Sequence, residues 1–219
     1  MEKDTEKSGK PIGIAFSTMV AGRVLGAAIS PLLFAHLPVL LIVMSPFLLH
    51  LIAVAPLVGP AVYFPVALVI TTAQALVGFY FGSILGVRAL EWLLERVPFP
   101  PSFADRLLVL VRKASVVAIF AIPGPILGTI AGVAGVKRRT FHLLVAPAQA
   151  IWVTAAYLIG EALLEYIEIL RGYVVDHAFV LTGVTVTLVG ARLLYGRFIK
   201  ERARRAVRRW KKKLKELNS

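Results

Sequence analysis

The sequence contains no cysteine. Disulfides, thiolate metal sites and cysteine nucleophiles are thereby excluded. Charge is also sparse over most of the chain. From Pro11 to Val87 the only charged residue is Arg23, and Ser115 to Val136 and Thr140 to Gly160 carry none. No acidic residue lies in these stretches, which argues against a carboxylate proton relay within them. Enzyme signatures are missing too: there is no Gly-x-Ser-x-Gly, no His-Glu-x-x-His and no Gly-rich phosphate-binding Lys loop. The four histidines lack metal-ligand spacing. No enzymatic activity, catalytic residue, metal or cofactor is therefore expected.

What the sequence holds in abundance is apolar residues. Of 219 residues 58% are hydrophobic, and the mean hydropathy is +0.79, whereas soluble domains are about half apolar. The uncharged runs match the roughly 20 residues that cross a hydrocarbon core. None carries the polar face that a core helix of a soluble protein needs. The reading is an all-α integral membrane protein. Its membrane domain covers 11–196, between a polar N-terminal tail at 1–10 and a basic tail at 197–219. Arg23 interrupts the first apolar run, so no cleavable leader is expected. The net charge of +13 belongs to the second tail: twelve of 25 basic residues lie between Arg192 and Lys215, offset there only by Glu201 and Glu216. Val207, Trp210, Leu214 and Leu217 recur in it at helical spacing. The tail thus reads as a basic amphipathic helix for anionic lipid headgroups, and nucleic acid is not expected as a partner.

Breakers divide the membrane domain. Residues 12–35 include Arg23 and Pro31, and read as a span or as a helix in the interface. Residues 36–60 are apolar yet carry Pro38, Pro46, Pro56, Gly59 and Pro60. A cleaner run follows at 61–87, then an amphiphilic stretch at 88–113. Residues 114–136 are apolar and broken by Pro123-Gly124-Pro125, and 140–162 and 178–196 are clean again. Basic loops favour the cytoplasm. That rule puts the C-terminus on the cytoplasmic side of the cell (inner or plasma) membrane, the acidic stretch 161–177 outside and Lys137-Arg138-Arg139 inside. Arg112-Lys113 precede 114–136 and Lys137-Arg138-Arg139 follow it, so both ends prefer one side. The segment is expected to re-enter and not to cross. Non-helical backbone at membrane depth is tolerated inside protein or beside a water-filled cavity.

A weak internal repeat agrees. Gly78-Phe79-Tyr80-Phe81-Gly82 resembles Ala156-Tyr157-Leu158-Ile159-Gly160 at an offset of 78 residues, and Pro123 falls onto Pro46 at nearly the same offset. The expected architecture is an inverted repeat of two re-entrant Pro/Gly-broken hairpins, at about 36–60 and 114–136. Each is followed by a spanning helix, at about 61–87 and 140–162, and a C-terminal spanning helix follows at about 178–196. Paired broken segments point to a transporter site at mid-membrane.

The second hairpin supplies the first site candidates, Pro123, Gly124 and Gly128. Amides at a half-helix N-terminus favour anions such as a phosphate headgroup; a purely structural turn is the other reading. Gln74 and Gln149 are amides in apolar runs and suit helix bridging, and Gln149 and His50 are also candidates for substrate contact. Arg23 is a candidate because an intramembrane charge is functional by default, unless it snorkels to the interface. Gly78, Gly82 and Gly86, spaced by four, and Gly160 read as helix-packing glycines.

In this order and spacing the motifs resemble the DedA family, also called the SNARE-associated or VTT-domain superfamily, over roughly residues 36–162. The family's Gly-Tyr-x-x-Gly-Arg-x-x-Gly stands here as Gly78-Phe79-Tyr80-Phe81-Gly82-Ser83-Ile84-Leu85-Gly86. Its Pro-Gly hairpin stands as Ile122-Pro123-Gly124, followed by Ala131-Gly132, Phe141, Trp152 and Ala156-Tyr157-Leu158-Ile159-Gly160. The resemblance is to a divergent bacterial-type branch. It implies inverted repeats with two re-entrant hairpins, and a translocase that flips or scrambles a polyprenyl-phosphate or a phospholipid. Membrane lipids are the implied partners, and a homo-oligomer stays open. The chain departs from the family in three places. Ala55-Pro56-Leu57-Val58-Gly59 lacks the acidic residues of typical first hairpins, Phe120 to Gly128 lacks the flanking arginines, and Ser83 replaces an arginine. A non-transporting scaffold that recruits partners through its basic tail, and a small-molecule exporter, are the other function classes open to this sequence.

Overall fold

The computed structural model describes residues 2–96, 109–121 and 124–194. Pro123 and the expected basic tail at 197–219 lie outside them. The described residues form helices joined by short breaks, with no strand among them.

Helix α1 spans Glu2–Ala28. The polar residues 2–10, expected as a separate tail, are its first turns: no proline precedes Pro11, and Glu and Lys are good helix formers. Its apolar part, Pro11–Ala28, is long and apolar enough to cross a membrane. The run expected at 12–35 does not continue as one helix, because Pro31 has no N–H to give to the Ala27 carbonyl. That carbonyl accepts instead from the Ser30 hydroxyl at 2.9 Å, and α2 starts afresh at Ser30–His36. Proline governs the next breaks in the same way. The residue before a proline is pushed out of the α region: Leu37 has φ −136°, and Ser45 has φ −140°. The outcome is α3 at Pro38–Met44, α4 at Leu48–Val54 and a 3₁₀ turn at Ala55–Leu57. Arms of seven residues are about 10 Å long, a third of a bilayer's core.

The next long helix, α5, spans Pro60–Leu85 and matches the expected span at 61–87. Gly86, at φ +54°, ends it, and the amphiphilic α6 follows at Val87–Arg96. Helix recurs at 109–113. Two short helices then flank the Pro-Gly-Pro break, α7 at Ser115–Ala121 and α8 at Pro125–Val133. The C-terminus of α8 closes on Gly135 at φ +78°, whose N–H donates to Gly132 while that of Val136 donates to Ala131. This left-handed glycine cap satisfies the last carbonyls. Helix α9 spans Arg138–Ala162, the second expected span.

The segment 161–177, expected as an external acidic loop, is largely helical: α10 covers Leu164–Asp176. Ile167 and Val174, seven residues apart, are its buried positions, and that spacing lays them on one helix face. The expected separate span at 178–196 is also revised. Helix α11, Ala178–Leu194, is long enough to cross only together with α10, against which it bends by 89°.

The chain forms two compact units, and α1, α5 and α9 each give one end to each. The first unit holds the described parts of 2–16, 75–145 and 192–194; the second holds 17–74 and 146–191. In the first, Phe16 stacks on Phe81 with centroids 4.1 Å apart, Phe79 stacks on Phe141 at 4.3 Å, and Trp92 meets Phe16 and Phe81 edge-on. In the second, Leu33, Leu41, Ile42, Val54 and Tyr63 anchor a core that includes Val153, Ala156 and Ile167. Large apolar side chains also point outward: Leu49 is 76% exposed, Phe179 81% and Leu194 76%. Outward apolar surface on this scale is costly in water and favourable in lipid. The described residues hold three helices long and apolar enough to cross a membrane, or four if the bent pair counts as one. This composition is that of a multi-pass membrane protein.

Candidate functional site

In the first unit the centre of interest is α8. Six consecutive residues from Leu127 to Gly132 are buried. Four glycines make that depth possible. A Cβ on Gly78 or Gly82 of α5 would run into the carbonyls of Pro125 and Thr129, and one on Gly128 or Gly132 of α8 would strike those of Ala75 and Phe79. Two glycine pairs, each spaced by four, thus bring α5 and α8 into backbone contact. Gly78 and Gly82, read from their spacing as packing glycines, both lie at this contact. Gly160 packs likewise in the second unit, where a Cβ would sit 2.7 Å from that of Ala55. Gly86 is different: a Cβ there meets nothing within 4 Å, and its positive φ makes it a turn glycine.

Gly128, expected at the substrate, is spent on packing, and its N–H donates to Gly124 at 3.0 Å. It is not a donor left for an anion. Gly124 keeps its candidacy. It precedes Pro125 at φ +128°, ψ −179°, a conformation in effect reserved for glycine, and a Cβ there meets open space. Pro123 lies outside the described residues. At the far end of this unit, the Tyr80 hydroxyl and His142 Nε2 are 3.0 Å apart, and the Arg138 guanidinium lies 5.9 Å from the Tyr80 ring.

The second unit gathers more of the candidates. Gly26 lets α1 approach the end of α3, since a Cβ there would lie 2.7 Å from that of Met44 and 3.0 Å from that of Ser45. Arg23, one turn earlier on the same face of α1, therefore meets the break between α3 and α4. Its guanidinium donates to Gln74 Oε1 at 2.8 Å and lies 4.4 Å from the centroid of Phe47. Arg23 is half-buried and about 18 Å along α1 from Pro11. It turns to protein partners. Both partners are neutral, so the charge pairs with no carboxylate among them. His50 packs edge-on against the same Phe47, centroids 5.8 Å apart, and its Nδ1 lies 2.7 Å from the Ser45 carbonyl. A carbonyl only accepts, so Nδ1 carries the proton and Nε2 is left for another partner.

Some buried hydroxyls of this unit lack hydrogen bonds among the described residues. Ser45 is fully buried, and its hydroxyl finds no partner among the described residues; the same holds for the hydroxyls of Tyr63, Thr72 and Thr182, all in this unit. Each unmet buried polar group costs about 1–3 kcal/mol. Gln149 is buried in this unit, 4% exposed; it belongs with Arg23, Gln74 and His50, and not with the α8 unit. Sequence reasoning singled out Arg23 and His50 but missed Ser45 and Phe47. The available signal was Ser45, a lone hydroxyl in front of Pro46 in an apolar run.

Chemically, the arrangement offers a guanidinium with spare donors, a hydroxyl and an imidazole at a helix break, the means to hold an anion. No family model matches the sequence, and neither a curated protein nor a solved structure matches it.

Proposed function

We propose that the protein is a lipid translocase of the cell (inner or plasma) membrane, with a cytoplasmic C-terminus, that flips or scrambles a polyprenyl-phosphate or a phospholipid. One observation carries the reading. Two pairs of short apolar helices, α3–α4 and α7–α8, are each too short to cross, and each packs against the small-residue face of a long helix. A broken helix at membrane depth needs protein or a water-filled cavity around it, and a pair of them suits an inverted-repeat transporter. The motif order shared with the DedA family supports the same assignment. So do the basic flanks of 114–136, which favour a re-entrant hairpin there. The chain's own chemistry sets its limits: with no acidic residue from Pro11 to Val87, movement of lipid in this protein is not driven through a carboxylate in the first hairpin.

The test is reconstitution in liposomes with labelled phospholipids and labelled polyprenyl-phosphate. Faster transbilayer movement of at least one is the expected result; none for any would remove the reading. A scaffold working through its basic tail would instead lose its cellular role on deletion of 197–219 alone, with transport absent from the start.

A further inference from the structure

We infer that the break between α3 and α4 is the headgroup site for an anionic lipid, and that one hydrocarbon chain of that lipid lies in the cleft beside it. The inference rests on the translocase reading for its membrane setting and deepens it by naming the ligand's chemistry. Three observations meet at this break. Arg23, the one charged residue from Pro11 to Val87, rests on neutral partners, with one of its five N–H groups taken by Gln74. Ser45 holds a fully buried hydroxyl without a partner among the described residues. His50 touches the same Phe47 ring as Arg23 and also lines a cleft of about 260 Å³.

That cleft is apolar almost throughout, walled by Phe34, Leu41, Val174, Leu181 and Val184. Its volume falls below the roughly 300 Å³ at which pockets for drug-sized ligands begin, so it suits a stretch of one chain and not two side by side. A soluble phosphate would have no use for an apolar wall, and a neutral lipid none for the guanidinium. An amphiphile with a phosphate head and a single chain uses both. Headgroup and tail then divide as the residues do: phosphate oxygens toward Arg23, Ser45 and His50, chain toward Leu181 and Val184. The arginines that the DedA resemblance leads one to expect beside Pro-Gly are missing here, and Arg23 on α1 brings a cation to the break in the other hairpin.

The experiment is equilibrium binding to the full-length protein in phosphatidylcholine nanodiscs, with hexadecyl phosphate as probe and inorganic phosphate and dihexadecyl phosphate as competitors. Hexadecyl phosphate should bind, and Arg23→Gln should weaken it by about tenfold or more while Arg23→Lys keeps most of the affinity. Leu181→Trp, which fills the cleft and leaves the polar groups alone, should also weaken it by about tenfold. Unchanged binding in either Arg23→Gln or Leu181→Trp would overturn the assignment; if Arg23→Gln does not fold, Leu181→Trp decides. Inorganic phosphate competing at equal concentration would mean a soluble-anion site, and dihexadecyl phosphate binding equally well would contradict a single-chain cleft. Wild type that binds the probe but moves no lipid in liposomes would sink the translocase reading and leave this site standing. Wild type that moves lipid, with Arg23→Gln binding unchanged, would sink the site alone.

Discussion

Arg23, Gly82, Gly86 and Gly128 show how much a residue's meaning depends on what faces it. Gly82 and Gly86 are four apart in the sequence, and spacing alone makes them equivalent. Gly82 lies on the Thr129 carbonyl; Gly86 faces open space at φ +54°. Gly82→Ala must therefore push the α5 and α8 backbones apart, at a cost of about 1–3 kcal/mol or more. Gly86→Ala has only the left-handed backbone to bear, about 1 kcal/mol. Thermal unfolding of the two variants in one detergent should show the larger loss for Gly82→Ala, and equal losses would contradict the close approach of α5 and α8. Torsion and contact are invisible to spacing, and for that reason spacing groups Gly86 with the packing glycines. With Gly128 the error runs the other way, because its partner carbonyl on Ala75 lies 53 positions away in the chain. Arg23 stands out in the sequence by its isolation, but its partner Gln74 is 51 residues distant, and nothing local announces that bond.

At the scale of elements, the long helices were legible because hydropathy is sustained over a full bilayer's width in 60–85 and 138–162. The breaks at 37 and 45–47 were legible as well, since proline removes a donor and restrains the residue before it; the one at 29–30 was not, because Pro31 lies inside a run that reads as one helix. α10 was not. Glu165, Glu168 and Asp176 read as loop charges, while the burial of Ile167 and Val174 on one face decides that segment's structure. The element whose topology bears most directly on the re-entrant reading is 114–136. Its helices have seven and nine residues, about 10 and 14 Å, and neither crosses alone. The absence of cysteine gives a clean background for topology. Single cysteines replacing Lys113 and Lys137 should both react with a membrane-impermeant reagent from the cytoplasmic face. Reaction from opposite faces would make the segment a kinked span and remove the re-entrant hairpin.

At the scale of the whole molecule, the two compact units differ in what they hold. One holds the buried glycine-packed α8; the other holds Arg23, hydroxyls without partners among the described residues and an apolar cleft. The sequence pattern located both breaks but placed its first anion candidates at the second, and the arrangement of side chains favours the first. Gln149→Ala, a truncation at a buried amide, should slow lipid movement less than Gly124→Val, which forces a β-branched residue into a torsion near φ +128° that such residues resist. The most direct measurement is therefore the rate of transbilayer movement of a labelled anionic lipid in liposomes carrying wild type, Gly124→Val or, as a control for glycine strain outside the hairpins, Gly86→Ala. The account predicts movement with wild type, near-wild-type movement with Gly86→Ala and a fall of about tenfold or more with Gly124→Val, the scale of 1.4 kcal/mol or above. A folded Gly124→Val protein that moves lipid at the wild-type rate would contradict it.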